Sequence, residues 1–149
     1  MINTNLILNV YKNKSSKSAL STQLLYGEKF QIVKKFRKFI KIKTTYDKYS
    51  GYIKNKKFEK NFTPTHKISS LSASLYSKPN QKFKLKNKIS FCSLVKITNK
   101  KKNFVNFGKY WVNNKDVLPI KKKISLFSKI KNFKNIKYKW GGNSFKGID

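Results

Sequence analysis

The sequence predicts a mainly β protein: two tandem small barrels, followed by an amphipathic helix and a loop. Three observations carry that expectation. Between Leu8 and Glu59, short apolar runs alternate or break at glycine and polar turns, with no helical period. The same plan recurs from Lys67 to Pro119, and after Pro119 the apolar spacing lengthens to three.

The elements follow in chain order. Leu24-Leu25-Tyr26-Gly27-Glu28-Lys29-Phe30-Gln31-Ile32-Val33 reads as strand, glycine turn, strand, because the apolar run breaks at Gly27-Glu28 and resumes with alternation. Phe39-Ile40-Lys41-Ile42-Lys43-Thr44 has period two, which puts Ile40 and Ile42 on a buried face and Lys41 and Lys43 on the other. Gly51-Tyr52-Ile53 makes a short aromatic strand after the turn at Tyr46 to Ser50. Five short strands in about 50 residues imply a small, strongly bent barrel.

The second stretch echoes the first. Ala73-Ser74-Leu75-Tyr76-Ser77 matches Leu8-Asn9-Val10-Tyr11-Lys12, Ser93-Leu94-Val95-Lys96-Ile97 matches Lys29-Phe30-Gln31-Ile32-Val33, and Lys109-Tyr110-Trp111-Val112-Asn113 matches Ser50-Gly51-Tyr52-Ile53-Lys54. Asn61-Phe62-Thr63-Pro64-Thr65-His66 reads as the linker, with Pro64 stopping strand pairing. The expected domains are therefore 1–62, 66–120 and 121–149. Ile124, Phe127, Ile130 and Phe133, with lysines between, suggest an amphipathic helix of about 12 residues starting in the lysine run 121–123. A glycine-rich loop follows, and the chain reads as cut inside a third domain.

Composition removes several function classes. The 149 residues hold 36 Lys or Arg against 5 Asp or Glu, a formal net charge of +31, with one Cys and one His. One cysteine and one histidine exclude an intrachain disulfide framework and a Cys-rich metal site, so no metal or cofactor is expected. Apolar runs never reach the roughly 18 residues of a membrane span, and the start lacks a signal-peptide pattern, which makes a cytoplasmic location the default. The charge invites a nucleic-acid reading. Against it, only Arg37 among the basic residues is arginine, and the lysines spread from Lys12 to Lys146. The charge thus predicts non-specific polyanion binding more directly than base recognition, and a basic nucleic-acid-binding barrel is the alternative function.

The terminal residues carry a resemblance. Tyr138-Lys139-Trp140-Gly141-Gly142 followed by Gly147-Ile148-Asp149 resembles the Tyr-x-Trp-Gly-Gly…Gly-Ile-Asp segment of the NlpC/p60 cysteine peptidases of bacterial cell-wall peptides. Upstream, Thr22-Gln23-Leu24-Leu25-Tyr26-Gly27-Glu28, Gly51-Tyr52-Ile53 and Pro64-Thr65-His66-Lys67-Ile68 are similar to the bacterial SH3-like domains of the dipeptidyl-peptidase branch. The resemblance implies two SH3-like barrels and the opening of an incomplete α+β peptidase domain. Its chemistry is papain-like: a cysteine thiolate activated by histidine attacks the peptide carbonyl, and an oxyanion site takes the developing charge. By resemblance, Tyr138 lies in the oxyanion site and Asp149 helps hold the free amine of a murein peptide cut between D-glutamate and a diamino acid. In the family the nucleophile follows that aspartate, so this chain carries no catalytic residue of the set and is expected to serve substrate positioning in a murein-peptide or peptidoglycan hydrolase. An aromatic residue of the first module also borders the pocket in the family, and the resemblance does not single out one tyrosine here.

Simpler readings apply to the remaining residues. Cys92, in Ile89-Ser90-Phe91-Cys92-Ser93-Leu94-Val95, reads as a buried thiol on a strand, with no positive helix end to activate it. His66 reads as a junction residue. Gly141 and Gly142 fit a tight turn that needs positive φ. Tyr11, Tyr46, Tyr49, Tyr52, Tyr76, Tyr110 and Trp111 are candidates either for a ligand groove or for the barrel cores.

Overall fold

The structure, a computed structural model, describes residues 1–60, 62–125 and 130–149. It divides into two compact units, Met1–Phe62 with Lys137–Asp149, and Thr63–Ile136. In the first unit β1 (Ile7–Tyr11), β2 (Leu20–Leu25), β3 (Phe30–Lys35), β4 (Phe39–Thr44) and β5 (Ser50–Lys54) form an antiparallel sheet in the order β2-β1-β5-β4-β3. The register slips once between Val10 and Tyr11 and once between Ile32 and Lys34. Such bulges sharpen twist and let short strands curl round a small core.

Alternation decides what that core contains. On β4, Ile40 and Ile42 are buried, and Lys43 between Ile42 and the buried Thr44 faces out. Val10, Leu24, Phe30 and Ile53 join them, with Met1, Leu8, Ile32 and Phe58 packed at the margin. Phe30 and Phe58 meet edge to face, centroids 5.0 Å apart. Each such side chain, fully buried, contributes about 1.5–3 kcal/mol. Ile2 closes the barrel by bridging to both Glu59 and Lys29.

The second unit has β6 (His66–Ile68), β7 (Ser72–Tyr76), β8 (Lys84–Ser90), β9 (Leu94–Val95), β10 (Asn99–Lys101), β11 (Phe104–Phe107), β12 (Tyr110–Asn113) and β13 (Val117–Pro119). Its large sheet runs β10-β11-β12-β7-β8, the order of the first unit read from the other edge. The small sheet β13-β6-β9 repeats the bridges of Ile2 to Glu59 and Lys29. The echo of residues 29–33 in 93–97 is shifted by one position: Phe30 and Val95 are the buried residues beside these bridges, whereas the sequence match sets Phe30 against Leu94. It fails after Val95, because residues 96–98 leave the ladder and the partner of β11 is β10, all of whose residues are exposed.

Three sequence expectations are corrected, and one open alternative, that of Tyr76, is decided. His66 pairs with Val95 and Pro119 as the first residue of β6, so the linker ends before it. Cys92 is exposed, in a turn between β8 and β9 with φ of 61°, because the run 89–95 is two strands and not one. Tyr76 is core, buried against Phe104 with its hydroxyl donating to Gln81 Oε1 at 2.9 Å. The amphipathic helix is absent from the described residues: 121–125 are turn and irregular chain, and Ile130–Phe133 is a single 3-10 turn whose Phe133 ring meets Phe91 at 5.4 Å. Phe127 of the expected apolar stripe lies outside the described residues. The stripe's three-residue spacing is also the period of a 3-10 turn, and the Ser, Asn, Phe and Ile between its lysines are the weaker helix formers of the segment.

Candidate functional site

The site is built on the first unit by its C-terminal segment. Residues 137–149 fold into a closed loop ending in the hairpin β14 (Asn143–Ser144) and β15 (Gly147–Ile148). Lys139 N–H donates to Ile148 O at 2.9 Å, Gly142 N–H to Lys139 O at 2.7 Å and Asp149 N–H to Gly142 O at 3.1 Å. Gly141 takes φ of +63°, and a Cβ on Gly142 would lie 2.5 Å from the Gly147 carbonyl oxygen. Both glycines are required by the path of this chain.

The loop brings together the two predicted site residues. The Asp149 carboxylate accepts from Gly141 N–H at 2.9 Å and from the Tyr138 hydroxyl. Tyr138 is 69% exposed, yet its hydroxyl is held above the usual tyrosine value, by local desolvation first and then by the hydrogen bond to, and repulsion from, that carboxylate. Trp140 is also largely exposed, with Lys12 Nζ 5.2 Å from its ring centroid.

What fastens the loop to the barrel is Gln23, which sequence reasoning quoted only as part of a motif. It is 3% exposed at mid-β2. Its Oε1 accepts from Asn143 N–H and from Ser144 Oγ, both at 3.1 Å. Its Nε2 donates to Asn9 Oδ1 at 2.8 Å, and Asn9 Nδ2 donates to the Tyr11 hydroxyl at 3.4 Å. A buried amide in a barrel of apolar strands is itself the signal that reveals this role, since such a group is stable only when its bonds are made. Gln23 thereby links the C-terminal loop to an aromatic residue of the first barrel.

Beside this chain of bonds lies a cavity of about 450 Å³. Asn9, Tyr11 and Gln23 form its neutral polar wall, with Ile7 and Leu8 as apolar floor. Lys54 and Lys56 border it from the end of β5, and Lys139 and Lys146 from the C-terminal loop. Lys56 Nζ donates to Asn5 Oδ1 at 2.5 Å, and desolvation pushes its ammonium below the ordinary lysine value. Tyr11 alone of the seven candidate aromatics lines this cavity; Tyr46 and Tyr49 stand exposed. The lining holds no Cys, His, Asp or Glu. Among the described residues, no cluster of three His, Cys, Asp or Glu side chains is placed to hold a metal ion.

Residues 10–58 match the family described as bacterial dipeptidyl-peptidase SH3 domain. That stretch runs from Val10 in β1 through β5 and includes Tyr11 and Gln23. Over 99% of its length the chain also superimposes on 68% of an NlpC/P60 family protein from Bacillus cereus ATCC 10987, with a TM-score of 0.76 at 17% identity. At that identity the likeness is one of fold. No curated protein matches the sequence. The matched stretch carries Tyr11 and Gln23, and the C-terminal loop with Tyr138 and Asp149 is bonded onto it through Gln23. No helix among the described residues is long and apolar enough to cross a membrane.

Proposed function

We propose that this chain is the SH3-like, substrate-positioning region of a murein-peptide hydrolase of the NlpC/p60 cysteine-peptidase type, cleaving between D-glutamate and a diamino acid. The observation that supports it best is the pairing of Tyr138 with Asp149 in a loop bonded onto a barrel that matches the bacterial dipeptidyl-peptidase SH3 domain. In this reading residues 121–149 begin the peptidase domain, and the tandem barrels 1–62 and 66–120 precede it. Asp149, with lone pairs beyond those used by Gly141 and Tyr138, would accept the free amine of the peptide. The Tyr138 hydroxyl, which gives its proton to Asp149 in the free chain, would turn it to the developing oxyanion once the peptide amine occupies that carboxylate, and Tyr11 would border the peptide from the barrel side. Hydrolysis itself would require a cysteine nucleophile and a histidine that this sequence does not place here; Cys92, in the turn after β8, does not fill that role.

Titration calorimetry with the tripeptide L-alanyl-γ-D-glutamyl-diaminopimelate tests the reading at 0.3 M salt, where exposed charge attraction is largely screened. The expected result is saturable binding that weakens about tenfold in Asp149→Asn, the size of one charge-assisted bond. Loss of all wild-type binding at that salt would reduce the interaction to bulk charge. Sequence-sensitive nanomolar binding of single-stranded or duplex oligonucleotides, read by fluorescence anisotropy, would favour the nucleic-acid alternative instead.

A further inference from the structure

We propose that the cavity between β1, β2 and the C-terminal loop is a binding site for a compact multivalent oxyanion, one small molecule bearing at least two phosphate or carboxylate groups. Four lysines reach it from two separate stretches of chain, Lys54 and Lys56 on one side and Lys139 and Lys146 on the other. None of the five acidic residues, Glu28, Asp47, Glu59, Asp116 and Asp149, is part of the lining. Four lysines lining one concavity place charge of a single sign around it, and such a cleft concentrates the field of its walls. A multivalent anion complements that charge.

The rest of the lining fits the same ligand. Lysine stems are flexible and their ammonium groups are point charges, so they converge on oxygens of varied geometry without the fixed fork of arginine. The Tyr11 hydroxyl already accepts from Asn9, which leaves its own proton to donate to an anion oxygen. The about 450 Å³ volume exceeds the needs of a lone inorganic ion and falls within the range of small-molecule sites. Partial desolvation of Lys56 means that a charge placed beside it is screened less than on open surface. The site does not rest on the peptidase reading: it follows from the cavity wall alone.

The experiment measures binding of inorganic tripolyphosphate and, in a parallel arm, citrate to the full chain by titration calorimetry at 0.15 M salt. Two charge-matched variants separate a site from bulk attraction. One carries K54Q, K56Q, K139Q and K146Q; the other carries K17Q, K29Q, K38Q and K43Q, exposed lysines of the same unit outside the cavity. Glutamine keeps the first carbons of the stem and a neutral donor while removing the charge. Tripolyphosphate or citrate should bind one to one, the cavity variant should lose at least 100-fold in affinity, and the control variant less than threefold. Single variants K54Q and K146Q, each expected to weaken binding about tenfold, carry the test should the quadruple variant unfold. The stronger of the two arms names the oxyanion as phosphate or carboxylate. Equal losses in the two quadruple variants, or no wild-type binding to either probe, would overturn the site.

Discussion

At Glu28 the barrel holds a carboxyl in an unfavourable place. Burial raises its pKa to about 7 from the ordinary 4.5; the Leu25 N–H, 2.7 Å away, pulls it partly back, and Asp47 adds a smaller push. The native state therefore takes up this proton more readily than the unfolded chain does. Its stabilising effect is complete below pH 4.5 and is lost as pH rises to about 7. Glu28→Gln keeps an acceptor for Leu25 and removes the titration. Its melting temperature should match wild type at pH 4 and exceed it by a widening margin up to pH 7, then stay level; a constant offset across that range would contradict the assignment. Gly142 makes a second residue-scale case. A methyl group there meets backbone oxygens of Gly147 at 2.5 Å and Lys139 at 2.8 Å, neither of which is a flexible side-chain end. Gly142→Ala should therefore open the loop, seen as loss of amide protection at Asp149 and Gly142 with the barrel strands unchanged.

Gln23 sets the coupling between elements. Replacing it with leucine keeps the volume and strands the Asn143 N–H and the Ser144 hydroxyl, a cost of about 1–3 kcal/mol. Amide exchange in β14 and β15 should then accelerate roughly 10- to 100-fold while β4 keeps its protection. Exchange unchanged in the hairpin would mean that other contacts hold it. Elements of this kind differ in how far a sequence betrays them. The strands of the first barrel were legible because one face is buried, so Ile40 and Ile42 alternate with lysines and leave a period-two trace. The Tyr138 and Asp149 pair was legible through its motif, but its fastening was not, since Gln23 meets Ser144 across 121 residues and no local pattern records such a bond. The residues 121–133 misled for a different reason: apolar side chains three apart fit a 3-10 turn as well as one stripe of an α-helix, and spacing alone does not choose. Cys92 looked like strand because its neighbours are apolar, whereas the turn at 91–93 lets β9 leave for the small sheet.

At the scale of the whole molecule, +31 charge on 149 residues works against compactness. Added salt shortens the reach of that repulsion, from about 30 Å at 0.01 M to about 10 Å at 0.1 M. Thermal stability should thus rise with sodium chloride over this interval, against the fall expected for a protein held by ion pairs; a falling melting temperature would show that attractive pairs dominate. The first unit is also discontinuous, since residues 137–149 belong with 1–62 and the 74 residues of Thr63–Ile136 intervene. During synthesis at 5–20 residues per second, the barrel emerges roughly 4–15 s before the strand that completes it. For that interval the newborn barrel presents a bare Gln23 amide and an unfilled groove to its surroundings. A chaperone or a stray peptide edge encountering the nascent chain would meet its most receptive surface there, so the order of translation makes this face the one to protect when the protein is produced.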